Sequence, residues 1–339
     1  MEIGWGIIGI GIHSNRFMGP AISKAHNTNF VTACHTNLER AESFASKHGV
    51  KRAYDSFEKM LKDPELEVVY IASPNNLHAQ HTIQAAKSGK HVLCEKPMAI
   101  KESECEQMIE ACHKNNVKLG VNFQNRYHPA HVKIRRLIQE GKVGEIYVAK
   151  AQYCSGYVYG HWQGWRNDPD VAGAGALMGP GLHPIDLVRY VMDSDVEEVQ
   201  SLCVTQTPYH KVDEMVYATL KLQNGAYCTL ISGILAPRSD NDLILYGTQA
   251  KVTSKGTIGM QLQGELIVEG DSINFKMSFP DEDPMTGNYM RVVEAFNKCI
   301  EENNEPDISG TNGLQMARIT NAILKSSREG KSVKVRNHS

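Results

Sequence analysis

Short apolar runs alternate with helix-like segments through the first third of the chain. An apolar run over residues 3–8 is followed by a glycine turn and a helical pattern, and the same order then recurs. Strands that alternate with helices at this spacing predict an α/β domain with a doubly wound parallel sheet, and ligands bind beyond the carboxyl ends of such strands. The predicted strands are 3–8, 30–34, 68–72, 91–94 and 117–123, and the predicted helices are 17–25, 38–48, 56–62, 77–87 and 101–115.

In the second half of the chain, strand-like runs follow one another with few helical segments between them. Asn224-Gly225 separates two of these runs, which is a strong signal for a β-hairpin. Runs of strands after alternating strand–helix units predict a second, α+β domain with a largely antiparallel sheet. We therefore predict a first domain over residues 1–123 and a second over 124–339. The predicted strands are 146–157, 199–204, 215–222, 226–232, 243–246, 251–254, 259–263 and 265–268, and a helix is predicted over 181–190.

Composition and charge exclude several classes of function. A length of 339 residues favours two domains, and a formal net charge of −2 without a long basic run argues against nucleic-acid binding. No apolar stretch reaches the length of about 18 residues that a membrane span needs, and no signal peptide is visible, so we expect a cytoplasmic protein. The eight cysteines form no C-x-x-C pair, which favours reduced thiols, and we expect no metal.

The glycine turn after the first apolar run carries the signature of a dinucleotide site. Gly9 and Gly11 follow a predicted strand and precede a helix, which is the context that the G-x-G-x-x-G fingerprint requires. Gly9 would form the tight turn, and Gly11 would let a pyrophosphate approach the backbone. The third position is Ser14, which is small but is neither glycine nor alanine. With the alternating pattern this turn predicts a Rossmann domain, whereas taken alone it is equally an ordinary glycine turn.

The end of the second predicted strand bears on the choice of cofactor. An NAD site usually has an acid there, but no acid occurs between residues 24 and 38. His35, Thr36, Asn37 and Arg40 instead offer hydrogen-bond donors and a positive charge, which suit a 2′-phosphate. We therefore favour NADP(H), with NAD(H) as the alternative. A purely structural interpretation makes the same residues a helix cap and a solvated helix surface.

Cys94-Glu95-Lys96-Pro97 directly follows a short apolar run. Burial disfavours an ammonium ion, so a lysine at the carboxyl end of a buried strand can exchange protons near neutral pH. Pro97 fixes its own φ and permits a cis bond, which would aim Lys96 rigidly. This tetrapeptide is the first candidate for catalytic chemistry.

A second candidate lies in the predicted helix over residues 181–190. His183 and Asp186 are three residues apart, which puts them on one helical face, and a carboxylate one turn from a histidine can orient its ring. Taken alone, His183 is also explained as a buried structural histidine.

These motifs together resemble the family of glucose–fructose oxidoreductase, inositol dehydrogenase and the rhizopine-catabolism proteins. The resemblance rests on Gly9-Ile10-Gly11, on Glu95-Lys96-Pro97 and on His183 with Asp186, and it covers nearly the whole chain. It implies a Rossmann domain, an open-faced, mostly antiparallel second sheet, and homodimers or homotetramers that form through that sheet. It also implies that Lys96 and His183 act at the reacting carbon.

Two segments refine this resemblance, and one position departs from it. Residues 36–40 and 161–166 are most similar to the bacterial 1,5-anhydro-D-fructose reductases of the family, which use NADPH. The family commonly has an aspartate four residues before the histidine, to reach a substrate hydroxyl. This chain has Gly179 there, followed by Pro180 and Gly181, which predicts an altered choice of substrate.

We therefore expect an NADP(H)-dependent oxidoreductase that acts on a carbinol or ketone carbon of a sugar, glycoside or polyol. His183 is assigned the proton transfer and Lys96 the polarising role, with the reverse assignment open, and Asp186 would orient His183 or contact a hydroxyl. A catalytically silent NADP-binding sensor and an NAD-dependent redox glycosidase are the competing hypotheses.

The remaining candidates line the predicted ligand sites. The substrate candidates, which are equally explained by interdomain packing, are Arg126, Tyr127, Trp165, Arg166 and His183. The cofactor candidates are Gly9, Gly11, Ile12, Ser14, His35, Thr36, Asn37, Arg40, Ser73, Pro74, Asn75, Asn76, His78, Glu95, Lys96, Pro97 and Asn125.

Overall fold

The chain folds into two units. The structure is a computed structural model that describes residues 2–155, 164–279 and 286–336. The first unit contains residues 2–124 and 286–317, and the second contains 125–155, 164–279 and 318–336. Residues 286–317, which the sequence analysis assigned to the second domain, pack with the first unit. Trp5 anchors part of this segment, since its indole N–H donates to Asn297 at 2.8 Å and its ring packs edge-on against Phe296.

A six-stranded sheet forms the centre of the first unit. Its strands are β1 (Ile3–Ile8), β2 (Thr28–Cys34), β3 (Arg52–Tyr54), β4 (Val68–Ile71), β5 (His91–Cys94) and β6 (Leu119–Val121). They pair in parallel in the order β3-β2-β1-β4-β5-β6, which confirms the predicted doubly wound sheet. The order reverses direction between β1 and β4, where ligands of such sheets bind. The short, half-exposed strand β3 lacks an apolar run and was not predicted.

Helices connect these strands, and they lie close to the helices that the sequence pattern predicted. They are α1 (Gly19–Lys24), α2 (Leu38–His48), α3 (Phe57–Leu61), α4 (His78–Lys87) and α5 (Glu102–Lys114). Asn37 explains the start of α2, because its side chain accepts a hydrogen bond from the Arg40 backbone N–H, and Gly49 ends the helix at a φ of 71°. A π-helical turn, Ser14–Met18, precedes α1.

A nine-stranded sheet forms the centre of the second unit. Its strands are β7 (Ile146–Cys154), β8 (Val196–Val204), β9 (Met215–Leu222), β10 (Tyr227–Gly233), β11 (Leu243–Gly247), β12 (Ala250–Lys255), β13 (Glu265–Gly270), β14 (Asn274–Ser278) and β15 (Val333–Lys334). The order is β14-β13-β12-β11-β7-β10-β9-β8-β15, and every pair except β7–β10 is antiparallel. The predicted largely antiparallel sheet and the hairpin at Asn224-Gly225 are confirmed.

One predicted strand, 259–263, is wrong. Gly256 and Gly264 bracket this segment with φ values of 66° and 101°, so the chain leaves the sheet after β12 and returns to it at β13. A Cβ at Gly264 would lie 2.4 Å from the Lys255 carbonyl oxygen, which only glycine avoids. The two apolar residues of the segment, Met260 and Leu262, are half-buried in the loop.

The remaining helices among the described residues belong to the second unit or lie in the C-terminal part of the chain. They are α6 (Pro129–Gln139), α7 (Pro169–Ala172), α8 (Leu182–Met192), α9 (Gly287–Glu301) and α10 (Gly310–Glu329). The inner face of the nine-stranded sheet packs against α6 and α8. Helix α8 confirms the helix predicted over residues 181–190. All eight cysteines are free thiols, and no helix among the described residues has the length and apolar character of a membrane span.

Candidate active site

The glycine turn after β1 has the geometry of a phosphate-binding turn. Gly9 adopts a φ of 93°, and a Cβ there would lie 2.3 Å from the backbone of Ala72, so no other residue fits. Ser14, the unusual third fingerprint residue, is buried, and its hydroxyl donates to the Gly9 carbonyl oxygen at 2.6 Å. A Cβ at Gly11 would meet no atom within 4 Å, and the Ile12 side chain is 77% exposed. This open turn has room for the pyrophosphate of a dinucleotide.

The residues after β2 form a small polar cluster at the start of α2. The Asn37 backbone N–H donates to His35 Nδ1 at 2.9 Å, so a neutral His35 carries its proton on Nε2. Asn37 itself caps α2 by accepting from the Arg40 N–H at 3.0 Å. Thr36 and Arg40 are exposed. The cap that the structural interpretation predicted is therefore present, and it leaves the exposed donors of this loop available to a ligand.

The loops after β4 and β5 are tied together by a buried histidine. His78 Nε2 lies 2.9 Å from the Ser73 carbonyl oxygen, and His78 Nδ1 lies 2.8 Å from that of Pro97. Burial lowers the pKa of His78, although both carbonyl contacts oppose this shift. The Ser73 hydroxyl lies 2.9 Å from His81 Nδ1. His78 and Ser73 thus shape this edge of the sheet through internal contacts, and the turn that contains Pro74, Asn75 and Asn76 follows directly.

Three side chains from separate loops and strands converge on Glu95, and we call the four residues the Glu95 cluster. It consists of Glu95, His13, Tyr70 and Asn122. Asn122 Nδ2 donates to Glu95 Oε1 at 2.6 Å, the Tyr70 hydroxyl donates to the same oxygen, and His13 Nε2 lies 3.0 Å from it. Because β4, β5 and β6 are parallel neighbours, their carboxyl ends bring these side chains to one place.

The Glu95 cluster stabilises a carboxylate that is largely shielded from water. Burial favours the neutral carboxyl, but the charge and hydrogen bond of His13, the charge of Lys96 and the Tyr70 hydroxyl outweigh it and hold the pKa of Glu95 below its usual range. Burial and the adjacent Glu95 charge raise the pKa of Tyr70 well above its usual value. Glu95 is therefore ionised and Tyr70 is a neutral donor near neutral pH.

Lys96 is held directly beside this carboxylate. Its backbone N–H donates to Glu95 Oε2 at 3.2 Å, and its peptide bond to Pro97 is cis, as the sequence allowed. Lys96 is half-buried, and its charge contributes to the low pKa of Glu95. The carboxyl end of β5 thus carries an anion held by several hydrogen bonds, followed directly by a lysine whose charge acts on it.

The sequence analysis missed three members of the Glu95 cluster. Tyr70 and Asn122 lie within apolar runs, where a buried hydroxyl or amide needs a partner, and this was the available signal. Which partner each one finds depends on the strand order, which the sequence alone does not specify. His13 lies in the glycine turn and also packs against the rings of Phe17 and Tyr289, at centroid distances of 5.4 Å in both cases.

In the second unit, His183 is held by the side chain of Asn125. His183 is the second residue of α8 and is 3% exposed. Asn125 Nδ2 lies 3.1 Å from His183 Nδ1, while Asn125 Oδ1 accepts from the Gly259 backbone N–H at 3.2 Å. The Tyr153 ring packs edge-on against the imidazole at 5.5 Å. Asn125, predicted as a cofactor ligand, thus connects three segments of the second unit.

Asp186 forms a buried ion pair with Arg126. Arg126 Nε donates to Asp186 Oδ2 at 2.8 Å, and a second guanidinium nitrogen donates to Oδ1 at 2.5 Å. Both side chains are nearly inaccessible, and Tyr190 lies under the Arg126 guanidinium at 5.3 Å. A bidentate pair of this kind fixes both groups, so Arg126 and Asp186 give α8 a rigid connection to the segment after β6.

The segment that leads into α8 is anchored by Asp213. Its carboxylate accepts from the backbone N–H groups of Gly175 at 2.6 Å and Leu177 at 2.7 Å. Burial raises the pKa of Asp213, although these two hydrogen bonds oppose the shift. Gly179, where the family commonly has an aspartate, lies in the π-helical turn Leu177–Gly181, and its N–H donates to the Gly175 carbonyl oxygen at 2.9 Å. The backbone before His183 is thereby fixed without that aspartate.

The remaining predicted substrate residues lie in short turns. Trp165 and Arg166 belong to a 3-10 turn, and the Arg166 guanidinium stacks on the Trp165 ring at 4.4 Å. Tyr127 ends the 3-10 turn Gln124–Tyr127 and is half-buried. Residues 161–163 of the predicted motif lie outside the described residues.

Comparisons with known proteins agree with this architecture. Residues 3–123 match the GFO/IDH/MocA oxidoreductase family, NAD-binding Rossmann fold, and residues 131–253 match the GFO/IDH/MocA C-terminal domain. The chain is 25% identical over 332 residues to the 1,5-anhydro-D-fructose reductase of Ensifer adhaerens, covering 98% of each chain. It is 30% identical over 241 residues to the trans-1,2-dihydrobenzene-1,2-diol dehydrogenase of Xenopus laevis, covering 70% of each chain.

A solved structure extends the agreement to the whole chain. The levoglucosan dehydrogenase complex with NADH matches with a TM-score of 0.88 and 25% sequence identity, covering 100% of each chain. The matched family domains, the parallel sheet with its glycine turn and the mostly antiparallel second sheet confirm the family that the sequence motifs indicated. The chain therefore belongs to the GFO/IDH/MocA family of oxidoreductases.

Proposed function

We propose that this oxidoreductase uses NADP(H) to interconvert a secondary alcohol and a ketone on a cyclic sugar, glycoside or polyol. The observation that carries the proposal is that Lys96 directly follows the ionised carboxylate of the Glu95 cluster, is bonded to it through its backbone N–H, and acts on it through its charge. A reaction at a carbinol carbon needs a group that exchanges a proton with the oxygen and a cation that stabilises the alkoxide. Lys96 and His183 are our candidates for these two tasks.

The Glu95 cluster influences the protonation of Lys96. An adjacent anion favours the ammonium form, while the half-buried position disfavours it, so the two effects oppose each other. Glu95 is itself held by Tyr70, Asn122 and His13, and it cannot turn away from Lys96 without breaking these contacts. The bound nicotinamide would supply or accept the hydride. Lys96 would meet the charge that develops on the substrate oxygen.

The second unit supplies a fixed imidazole and a rigid polar surround. His183 is oriented by Asn125, and Asp186 is committed to Arg126. We propose that Asp186 acts through this ion pair as a positioning residue for α8. The stacked Trp165 and Arg166 pair offers an aromatic face and a guanidinium group, which suit the ring and hydroxyls of a sugar.

The proposed substrate class draws on the relatives. Their names refer to anhydrofructose, levoglucosan and a dihydrobenzene diol, which are cyclic molecules that carry hydroxyl or carbonyl groups. Gly179 lacks the carboxylate that would bind one hydroxyl, so we propose a substrate with a bulkier or differently decorated ring.

The proposed preference for NADP(H) rests on the loop after β2. A neutral His35 that accepts at Nδ1 carries a donor on Nε2, and Thr36 and Arg40 in the same segment are exposed. These donors match a 2′-phosphate, which also gains from the positive charge of Arg40. Arg40→Ala should weaken NADPH binding by about 1–3 kcal/mol and leave NADH binding unchanged. Titrations with both reduced cofactors decide this, and tighter binding of NADH to the wild type would contradict it.

A panel of cyclic sugars, glycosides and polyols, assayed with both cofactors, tests the proposed reaction. We expect cofactor reduction or oxidation with at least one larger glycoside or polyol, and poor turnover of 1,5-anhydro-D-fructose. High efficiency on anhydrofructose would show that Gly179 is a neutral replacement. Tight cofactor binding without turnover of any compound would contradict the proposal and favour a sensor.

We also propose that the outer face of the nine-stranded sheet joins two copies of this chain. Tyr217 and Leu202 pair across β9 and β8, and Ile231 lies beside Tyr217 on β10, which makes an exposed apolar row. A parallel row contains Tyr227, Val148 and Tyr246 of adjacent strands. Exposed Thr219, Thr229 and Lys150 lie between the two rows. A sheet face that exposes two apolar rows marks an interface, and a second copy satisfies it symmetrically. Light scattering should find an oligomer for the wild type and a monomer for Ile231→Lys; a monomeric wild type would contradict the proposal.

A further inference from the structure

The side-chain amide of Asn125 lies between a backbone donor and an imidazole ring. The Gly259 N–H donates to Asn125 Oδ1 at 3.2 Å, and Asn125 Nδ2 lies 3.1 Å from His183 Nδ1. A backbone N–H can only donate, so the amide oxygen must face Gly259 and the NH₂ group must face His183. The backbone thus determines the orientation of the amide, and with it the role of His183 Nδ1.

We propose that Asn125 is a positioning residue that holds His183 as a neutral imidazole with its proton on Nε2. The NH₂ group of Asn125 has only donors, so it bonds to His183 Nδ1 when that nitrogen offers its lone pair. A proton on Nδ1 would place two N–H groups against each other and cost the hydrogen bond. The imidazolium ion carries a proton on both nitrogens, so this arrangement opposes it as well.

The groups around His183 support the neutral ring. Asp186, one turn along α8, is held in the bidentate ion pair with Arg126, and its charge is balanced there. The Tyr153 ring of β7 and the imidazole pack edge to face, with their centroids 5.5 Å apart. His131 of α6 contacts the Asn125 backbone oxygen through Nδ1 at 2.6 Å, and burial and the neighbouring His128 lower the pKa of His131 to about 3, so His131 is neutral too. His183 is 3% exposed, so water does little to stabilise a charge on its ring.

Given the proposed function, this tautomer assigns different tasks to His183 and Lys96, and we call this the division of labour between them. A neutral imidazole donates a hydrogen bond from Nε2 to the substrate oxygen, but it cannot release that proton without becoming an imidazolate anion. The proton itself must then come from Lys96. In ketone reduction the carbonyl carbon gains a hydride, the electron pair of the C=O bond moves to the oxygen, one Nζ–H bond of Lys96 breaks, and the O–H bond forms. The neutral amine of Lys96 then regains a proton from water. This assigns proton transfer to Lys96, which reverses the role favoured from the sequence.

Nitrogen spectroscopy of the protein without substrate tests the tautomer. Protein labelled with ¹⁵N-histidine is examined near neutral pH, and the His183 signals are identified as those missing from His183→Gln. We expect Nε2 to carry the proton and Nδ1 to show the shift of an unprotonated nitrogen. A protonated Nδ1 in the wild type would overturn the proposal. This result does not depend on whether any sugar is turned over, so it is separate from the test of the proposed function.

Asn125→Asp provides the matching variant. One carboxylate oxygen still accepts from the Gly259 N–H, while the other now needs a donor from His183 Nδ1. We expect Nδ1 to become protonated and the titration of the ring to move up by about one pH unit or more. Asn224→Asp makes the same chemical change at the exposed turn between β9 and β10 and should leave the His183 signals unmoved. A spectrum of Asn125→Asp identical to that of the wild type would contradict the inferred contact.

The pH dependence of turnover tests the division of labour. His183→Gln should lower kcat by about 10²–10³-fold, the scale for one lost donor to an oxyanion, and leave the pH dependence of kcat unchanged. The titration in that profile then belongs to Lys96. Loss of a titrating limb in His183→Gln would show that His183 exchanges the proton and would overturn the assignment.

Discussion

Replacing Glu95 by glutamine tests whether a buried carboxylate organises the first unit. The amide keeps the shape of the side chain but removes its charge. Tyr70 and Asn122 would then donate to a neutral oxygen, and the contact of Glu95 with His13 at 3.0 Å would lose the charge of the carboxylate. Glu95 and His13 have side-chain exposures of 12% and 22%, so solvent screens these contacts only in part.

The expected loss of stability is worked from these contacts. A hydrogen bond to a charged group contributes roughly 1 kcal/mol more than a neutral one, so two weakened bonds cost about 2 kcal/mol. The weakened contact with His13 adds about 1 kcal/mol. We therefore expect Glu95→Gln to lower the free energy of unfolding of the first unit by about 3 kcal/mol near neutral pH.

The expected difference in stability between the wild type and Glu95→Gln depends on pH in a defined direction. The pKa of Glu95 is lower in the folded chain than in the unfolded chain, so its contribution to stability is complete above about pH 4.3 and is lost as the pH falls below that value. The difference between the wild type and Glu95→Gln should therefore be full near neutral pH and shrink in acid.

Urea unfolding followed by the fluorescence of Trp5 measures this difference. Trp5 is fully buried in the first unit, and replacing the other two tryptophans, Trp162 and Trp165, by phenylalanine isolates its signal. Glu110→Gln, an exposed change on α5, is the control and should shift the free energy by no more than about 0.5 kcal/mol. A Glu95→Gln variant as stable as the wild type, or a difference that does not vary with pH, would refute the reasoning.

Three further predictions follow from other contacts. Arg126→Met should lower the free energy of unfolding by about 3–5 kcal/mol, because it leaves the Asp186 carboxylate buried and unpaired. The double variant with Asp186→Leu should recover most of this loss, and equal losses in the single and double variants would contradict the prediction. Burial, and then the neighbouring His128, lower the pKa of His131 to about 3, so between about pH 6.5 and pH 3 the unfolded chain binds a proton that the folded chain does not. The free energy of unfolding of the wild type relative to His131→Gln, measured with urea, should therefore fall as the pH falls through this window. A difference that stays constant would contradict this prediction. Gly11→Ala should leave the melting temperature unchanged, because its Cβ meets no atom, yet weaken cofactor binding by at least about tenfold; unaltered binding would show that no phosphate approaches there.

The sequence predicted the fold to the extent that local patterns determine it. Runs of β-branched residues and helix signals such as Asn37 and Gly49 located most elements of the Rossmann domain within a few residues. The apolar character of residues 259–263 was misleading, because the φ values of Gly256 and Gly264 direct that segment out of the sheet. An apolar helical face does not specify its partner, so the sequence did not reveal that residues 286–317 pack with the first unit.

The residues of the candidate site could be predicted only where they are neighbours in the sequence. Glu95 and Lys96 are neighbours and stood out at once. Tyr70 and Asn122 reach Glu95 only because β4, β5 and β6 are adjacent in the sheet, which is a property of the topology. In the same way, spacing paired Asp186 with His183 on one helical face, whereas the structure pairs its carboxylate with Arg126 from outside the helix.

The central claim is that Lys96 carries the proton in a reaction that exchanges a hydride with NADP(H). The most direct measurement compares the kcat of the wild type and Lys96→Met on the best sugar, glycoside or polyol of the panel, with cofactor affinity measured in parallel by fluorescence. Loss of a positioned proton donor predicts a fall in kcat of about 10²–10⁴-fold with cofactor affinity retained. A Lys96→Met enzyme whose kcat stays near that of the wild type would contradict the account.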